Sequence, residues 1–117
     1  QAIPEAEKAS ASVAAPATPS EQMEVVNKQA EALMAKGRNA LQQGDHGIAI
    51  DAFNKLLLLP PNKFTQDAQE LIGVARERSG QNFKAKLEYE HYLKTYTSGE
   101  GVARVKERLA EITGALK

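Results

Sequence analysis

The feature that most constrains this chain is an internal repeat with a period of 36 residues. Displacing the sequence by that amount lays Ala32 on Ala68, Gly37 on Gly73, Gly44 on Gly80, Ala49 on Ala85 and Leu57 on Leu93. It also sets Phe53 against Tyr89, so an aromatic is kept. Self-similarity at such a period marks stacked supersecondary units, each unable to bury its apolar face alone. Glycine inside a helix costs about 1 kcal/mol against alanine, so Gly37 and Gly73 need a reason. Close approach of a neighbouring helix supplies one. In each unit the glycine lies twelve positions before a small residue, Ala49 or Ala85, and such pairs let a helical hairpin pack tightly. The aromatic that follows, Phe53 or Tyr89, is expected to fill the space toward the next pair, with Gly44 and Gly80 serving the turns.

Apolar periodicity and caps place five helices around these points. Thr18-Pro19-Ser20-Glu21 has Thr at the N-cap, Pro at the first helical position and Glu at the third, a capping box. Behind it Met23, Val26, Ala30, Leu33, Gly37 and Ala40 recur at steps of three and four, until Gly44 stops the helix. Asp45 is expected to cap a second helix with the stripe Ile48, Ala49, Ala52, Phe53, Leu56 and Leu57, broken by Pro60-Pro61-Asn62. Thr65 opens a third helix (Ala68, Leu71, Ile72, Ala75) that ends at Gly80. A fourth starts near Asn82 and carries Phe83, Ala85, Tyr89, Tyr92, Leu93 and Tyr96. Thr97 and Glu100 offer a second capping box before a last helix striped with Val102, Val105, Leu109, Ile112 and Leu116. No room is left for a sheet. The expected fold is all-α, two tandem antiparallel helix pairs and a C-terminal capping helix over about 100–116.

Residues 1–17, QAIPEAEKASASVAAPA, have only Ile3 and Val13 as bulky apolar side chains. Such a segment buries too little surface to offset the entropy of ordering, so it reads as a flexible linker ahead of a helical domain at 18–117. An Ala/Pro-rich start without an initiating Met suggests a mature form or a piece of a longer protein.

With the repeat laid out, a family resemblance emerges. Gly37, Gly44, Ala49, Phe53 and Pro61 have the spacing of the tetratricopeptide repeat signature, including its A-x3-F element and terminal proline. Gly73, Gly80, Ala85 and Tyr89 repeat it, with Thr97 in the place of the proline. The chain therefore resembles that family over repeats at about 30–63 and 66–99. There are departures: Lys36 stands where the family has a large apolar residue, and Ala40 or Arg76 where it has an aromatic. The resemblance implies a fragment of a right-handed α-solenoid that binds protein without catalysing a reaction. The phrasing around Tyr92-Leu93, Tyr96-Thr97 and Arg108-Leu109 is also similar to bacterial cell-envelope proteins with such repeats, which implies a periplasmic setting; the cytoplasm is the alternative.

In arrays of this family the first helices line a concave face. The resemblance implies that Glu31, Met34, Arg38, Leu41 and Gln42 from one repeat, and Asp67, Glu70, Val74 and Glu77 from the next, form a partner-binding groove. Apolar side chains among carboxylates suggest a partner segment with apolar and basic character. The other reading is that Met34 and Leu41 simply pack against a neighbouring helix. The paired asparagines and lysines with which some members read acidic C-terminal tails are not supplied here, so that role is not expected.

Other chemistries find little support. Fifteen basic residues balance fifteen acidic ones, which gives no global field for nucleic acid or an anionic membrane. Without cysteine there is no disulfide, thiolate nucleophile or Cys-type zinc site. Glu88 and His91 make one Glu-x-x-His pair, yet a di-metal centre needs a second, and none occurs. His46 reads as a solvated first-turn residue. No Gly-rich loop leads into Lys-Ser/Thr, and no serine has a recognisable His and Asp. Tyr89, Tyr92 and Tyr96 form a single helical stripe, which fits core packing better than base stacking. No run approaches the ~20 apolar residues of a membrane span. The expectations are thus no enzyme, no cofactor, no metal and a protein or peptide partner, with self-association of the chain as the alternative function.

Overall fold

In the computed structural model, which describes residues 18–116, five helices follow one another, with no strand among those residues. They are α1 (Pro19–Gln42), α2 (His46–Leu57), α3 (Thr65–Arg78), α4 (Asn82–Thr95) and α5 (Glu100–Leu116). The linker expected over 1–17 lies outside the described residues. No described helix is long and apolar enough to cross a membrane.

The capping box at Thr18 forms in full. The Glu21 amide donates to Thr18 Oγ1 at 3.1 Å, and the Thr18 amide donates to Glu21 Oε1 at 2.9 Å. Two other expected caps do not form. Asp45 stands at the N-cap of α2, but its side chain makes no capping hydrogen bond. Among the described residues Thr97 makes no bond to Glu100 either; Gly99, at φ +104°, makes the turn into α5 instead. Asn62, the last residue of the Pro60-Pro61-Asn62 break, organises the approach to α3. Its Oδ1 accepts from the Phe64 amide at 2.9 Å, and its own amide donates to Thr65 Oγ1 at 2.8 Å.

The repeat extends to the hydrogen bonds of the turns. After α1, Gly44 takes φ +82° while Asp45 N–H donates to Ala40 O at 2.8 Å and Gly44 N–H to Leu41 O at 3.2 Å. After α3, Gly80 takes φ +81° while Gln81 N–H donates to Arg76 O at 2.8 Å and Gly80 N–H to Glu77 O at 3.0 Å. Both turns use a left-handed residue, which glycine adopts without strain, to satisfy carbonyls left open by the helix end. Each turn folds the next helix back along its predecessor.

The two interior glycines do what the repeat implied, but through a different neighbour. A Cβ at Gly37 would lie 2.6 Å from Phe53 Cζ, and one at Gly73 would lie 2.6 Å from Tyr89 Cδ1. Each aromatic ring therefore sits on the glycine of its own helix pair, and Phe53 also shares a core with Ala68, Ile72 and Ala75 of the next pair. Phe53 and Tyr89 are fully buried. Burial of an aromatic side chain contributes about 2–3 kcal/mol, which offsets the cost of glycine in the helix. Ala49 and Ala85 are buried in the same seams.

Each helix packs on the ones before and after it, and α3 also touches α5. One core joins α1, α2 and α3 through Ala30, Met34, Phe53, Leu56, Ile72 and Ala75. A second joins α4 and α5 through Ala85, Tyr89, Tyr92, Val105 and Ile112. Three described residues of the expected stripes are exposed: Met23, Ile48 and Phe83, the last at 62%.

Candidate functional site

Helices α1, α3 and α5 contribute side chains to one groove of about 290 Å³. Its lining combines Arg38 from α1, Asp67, Glu70, Leu71, Val74 and Arg78 from α3, and Arg104 and Arg108 from α5. Four residues named from the sequence are thus together: Arg38, Asp67, Glu70 and Val74. Glu31 and Gln42 are exposed outside this lining.

The apolar residues named for the groove are mostly unavailable to a partner. Met34, Leu41 and Val74 are 4%, 7% and 3% exposed and belong to the core. The alternative reading, that Met34 and Leu41 pack against neighbouring helices, matches this burial. Of the apolar surface, half-buried Leu71 and the edge of Val74 remain.

Two of the named carboxylates are occupied within the chain. Glu70 is buried and accepts two hydrogen bonds from Arg104, from Nε at 2.8 Å and from Nη2 at 2.9 Å. A bidentate arginine–carboxylate pair is strong and geometrically specific, and the carboxylate beside Arg104 holds the guanidinium pKa above its ordinary value. Glu77 accepts from the Tyr89 hydroxyl at 2.8 Å and lies 3.7 Å from Arg108 Nη1. Burial, reinforced by Glu77, raises the pKa of that phenol. Neither acid faces solvent as a free charge.

The Glu70–Arg104 pair belongs to a polar seam joining α3, α4 and α5. Gln66 Nε2 donates to the Tyr92 hydroxyl at 2.9 Å and to Ser98 O at 3.1 Å. Gly101 stands where a Cβ would overlap the Tyr92 hydroxyl and lie 2.9 Å from Glu70 Oε1. That explains a glycine in the first turn of α5. Its role is to admit two neighbours, and the helix N-terminus there is already closed by them.

The cations tell a different story. Arg38 and Arg78 are exposed and form no ion pair among the described residues. Arg78, Arg104, Arg108 and Leu71 were not among the groove residues named from sequence. The signal was present in part: Arg104 and Arg108 are four apart, on one face of a helix, and lie 36 residues after Ala68 and Ile72.

A second, larger hollow of about 620 Å³ lies between α4 and α5, lined by Leu87, Glu90, His91, Leu93, Lys94 and Leu109. Leu87 is 51% exposed there. Glu88, which precedes His91 by three residues, is turned to α3: it accepts from Arg76 Nε and Gln69 Nε2, both at 3.0 Å. No group of three or more His, Cys, Asp and Glu among the described residues is placed to hold a metal ion. Comparison with family models, characterised proteins and solved structures returned no match for this chain.

Proposed function

We propose that this chain is a non-catalytic protein-interaction module that receives a partner segment in the groove of α1, α3 and α5. The observation that carries the reading is the groove itself. Three helices separated in sequence contribute side chains to one surface, and two of its arginines have no partner within the described chain. In this reading the pairs α1/α2 and α3/α4 are tetratricopeptide-like repeats of a right-handed solenoid, and α5 takes the place of the next first helix. The matching turns and glycine sockets support that arrangement. A place in a larger bacterial envelope protein rests on the sequence resemblance alone, and fractionating the source cells tests it.

The test is an unbiased one. Random peptides displayed on phage are selected on the whole chain, then rescreened on Arg38→Glu/Asp67→Arg, which changes two exposed side chains that make no hydrogen bond or ion pair among the described residues. Enriched peptides that lose binding to this variant support the groove. A selection that enriches nothing, or peptides indifferent to the change, would overturn it.

The hollow between α4 and α5 favours a second reading. Leu87, Leu93 and Leu109 present apolar surface of the kind that drives self-association. Sedimentation across a range of concentrations separates the two, since a strict monomer rules out assembly through this face.

A further inference from the structure

We infer that the groove selects an acidic protein segment, recognised by Arg38, Arg78 and the outer edges of Arg104 and Arg108. This deepens the reading of the groove as the partner site and rests on it. The sequence suggested a partner of the opposite charge, because four of the nine named residues are acidic (Glu31, Asp67, Glu70 and Glu77), only Arg38 is basic, and the other four are apolar or neutral. Geometry changes that balance.

Of the carboxylates near the groove, Glu70 is buried and saturated by Arg104, and Glu77 is engaged by the Tyr89 hydroxyl and faces Arg108. Only Asp67 remains as an exposed acid in the lining, and it pairs with neither Arg38 nor Arg78. The free charge of this lining is therefore positive and is carried by Arg38 and Arg78, although Glu107 and Glu111 share a neighbouring hollow with Arg104 and Arg108 and the chain as a whole is neutral. Guanidinium groups are weakly hydrated and present planar donor forks that match carboxylates. Arg104 has half of its side chain exposed even while it holds Glu70, so the face of its fork turned to solvent still carries charge.

The cations come from three alternate helices, Arg38 on α1, Arg78 on α3, and Arg104 and Arg108 on α5. A ligand that meets all of them must run across the helices, which suits an extended segment better than a compact anion. Leu71, half-buried between the arginines, adds room for an apolar side chain. The segment is acidic, with an apolar residue between its carboxylates. Oligonucleotides share the charge but not this feature, and the small apolar floor offers no aromatic for base stacking.

Fluorescence anisotropy with the full chain tests this directly. The probes are a labelled peptide of repeated Glu-Leu-Ser, its Lys-Leu-Ser and Gln-Leu-Ser counterparts, and a short single-stranded oligonucleotide. The Glu peptide is expected to bind saturably, with affinity falling several-fold when salt rises from about 0.05 to about 0.3 M. Arg38→Glu and Arg78→Glu should each weaken it roughly tenfold. Lys106→Glu, the same charge change two residues from Arg104 and Arg108 and so on the far side of α5, should leave it unchanged. Circular dichroism of each variant keeps misfolding apart from lost binding. Tighter binding of the Lys peptide that is still sensitive to Arg38→Glu/Asp67→Arg would overturn the acidic choice while sparing the groove. Equal binding of the oligonucleotide would reduce the site to a generic anion surface and overturn it as well. No saturable binding of any probe, with the display selection also empty, would remove both.

Discussion

The two helix pairs share a backbone plan and hold it together with different chemistry. In α1/α2 the positions around the glycine socket are Leu33, Met34, Ala40, Leu41, Ala52, Phe53 and Leu56. The same positions in α3/α4, 36 residues on, are Gln69, Glu70, Arg76, Glu77, Glu88, Tyr89 and Tyr92. The first set is an apolar cluster. The second is a polar seam of three contacts, in which Gln69 and Arg76 hold Glu88, Tyr89 holds Glu77, and Glu70 holds Arg104. Buried polar groups cost free energy unless they are paired, so this exchange had to be made as a set. What stayed constant is the ring on the glycine. The comparison shows that the socket fixes the distance between helices, while its surroundings are free to be greasy or polar provided every member agrees.

The largest effect should come from filling the sockets. Gly73→Ala and Gly37→Ala gain helix propensity, yet the new methyl overlaps the aromatic ring in both. Overpacking of this kind costs typically 1–3 kcal/mol. The two should differ. Phe53 can tilt away, whereas Tyr89 is tethered by its hydroxyl to Glu77. Urea unfolding should show a loss of about 3 kcal/mol for Gly73→Ala and about 2 kcal/mol for Gly37→Ala. Equal losses would mean that the hydroxyl tether does not restrain the ring.

Next in size is an asymmetry within one ion pair. Arg104 keeps half its side chain in solvent, while Glu70 keeps 8%. Removing the arginine strands a buried carboxylate, so Arg104→Met should cost about 2 kcal/mol. Glu70→Met installs the side chain that Met34 supplies in the first pair and leaves a guanidinium that water can reach. Its loss should stay below about 1 kcal/mol. A reversed order would show that Arg104 contributes through its own packing on α3.

A smaller effect tests whether the polar seam behaves as a unit. Arg76→Ala alone should destabilise by roughly 1–2 kcal/mol, because Glu88 is mostly buried and loses the charged one of its two partners, keeping only Gln69. The triple change Gln69→Leu/Arg76→Ala/Glu88→Ala copies the first pair into the second. It should lose less than the sum of its single changes, by about 1 kcal/mol or more. Strict additivity would mean that the seam is three separate contacts.

These contrasts also explain what the sequence could and could not disclose. The sockets and turns were legible because they recur at a fixed offset and use glycine, whose cost inside a helix demands a reason. The five helices followed from periodicity. That the aromatic rings rest on Gly37 and Gly73 was not legible, since spacing gives the face of a helix but not which neighbour lies against it. The groove was legible only in outline. Glu70 and Arg104 are 34 residues apart, and nothing local in either says that one neutralises the other. A carboxylate read from sequence counts as a free charge; in the folded chain it had already been consumed. Met34 and Leu41 failed as surface residues for a related reason: both belong to the core cluster that α1 shares with residues of α2 and α3, which spacing along α1 alone does not disclose.

The smallest expected effect lies where the first pair has something the second lacks altogether. Only α1 begins with side-chain capping bonds; α3 and α4 have none at their N-caps. The capped turns project beyond the rest of the molecule, with residues 19–25 exposed before the chain reaches its first buried side chain at Ala30. Thr18→Ala should therefore weaken the local helix by about 1 kcal/mol and speed amide exchange over Met23 to Val26. The urea midpoint should not move, because those turns carry no tertiary packing. Acid should act at the same place. The Thr18 amide, and then its hydroxyl, lower the Glu21 pKa. A depressed carboxylate stabilises the helix above its ordinary pKa, and that contribution is lost as pH falls through the lowered value. Exchange protection of this segment should fall over that window in the native chain and stay flat in Glu21→Gln. A shift of the whole unfolding transition with Thr18→Ala would show instead that the overhang is coupled to the socket at Gly37, and that the first pair is longer than its core implies.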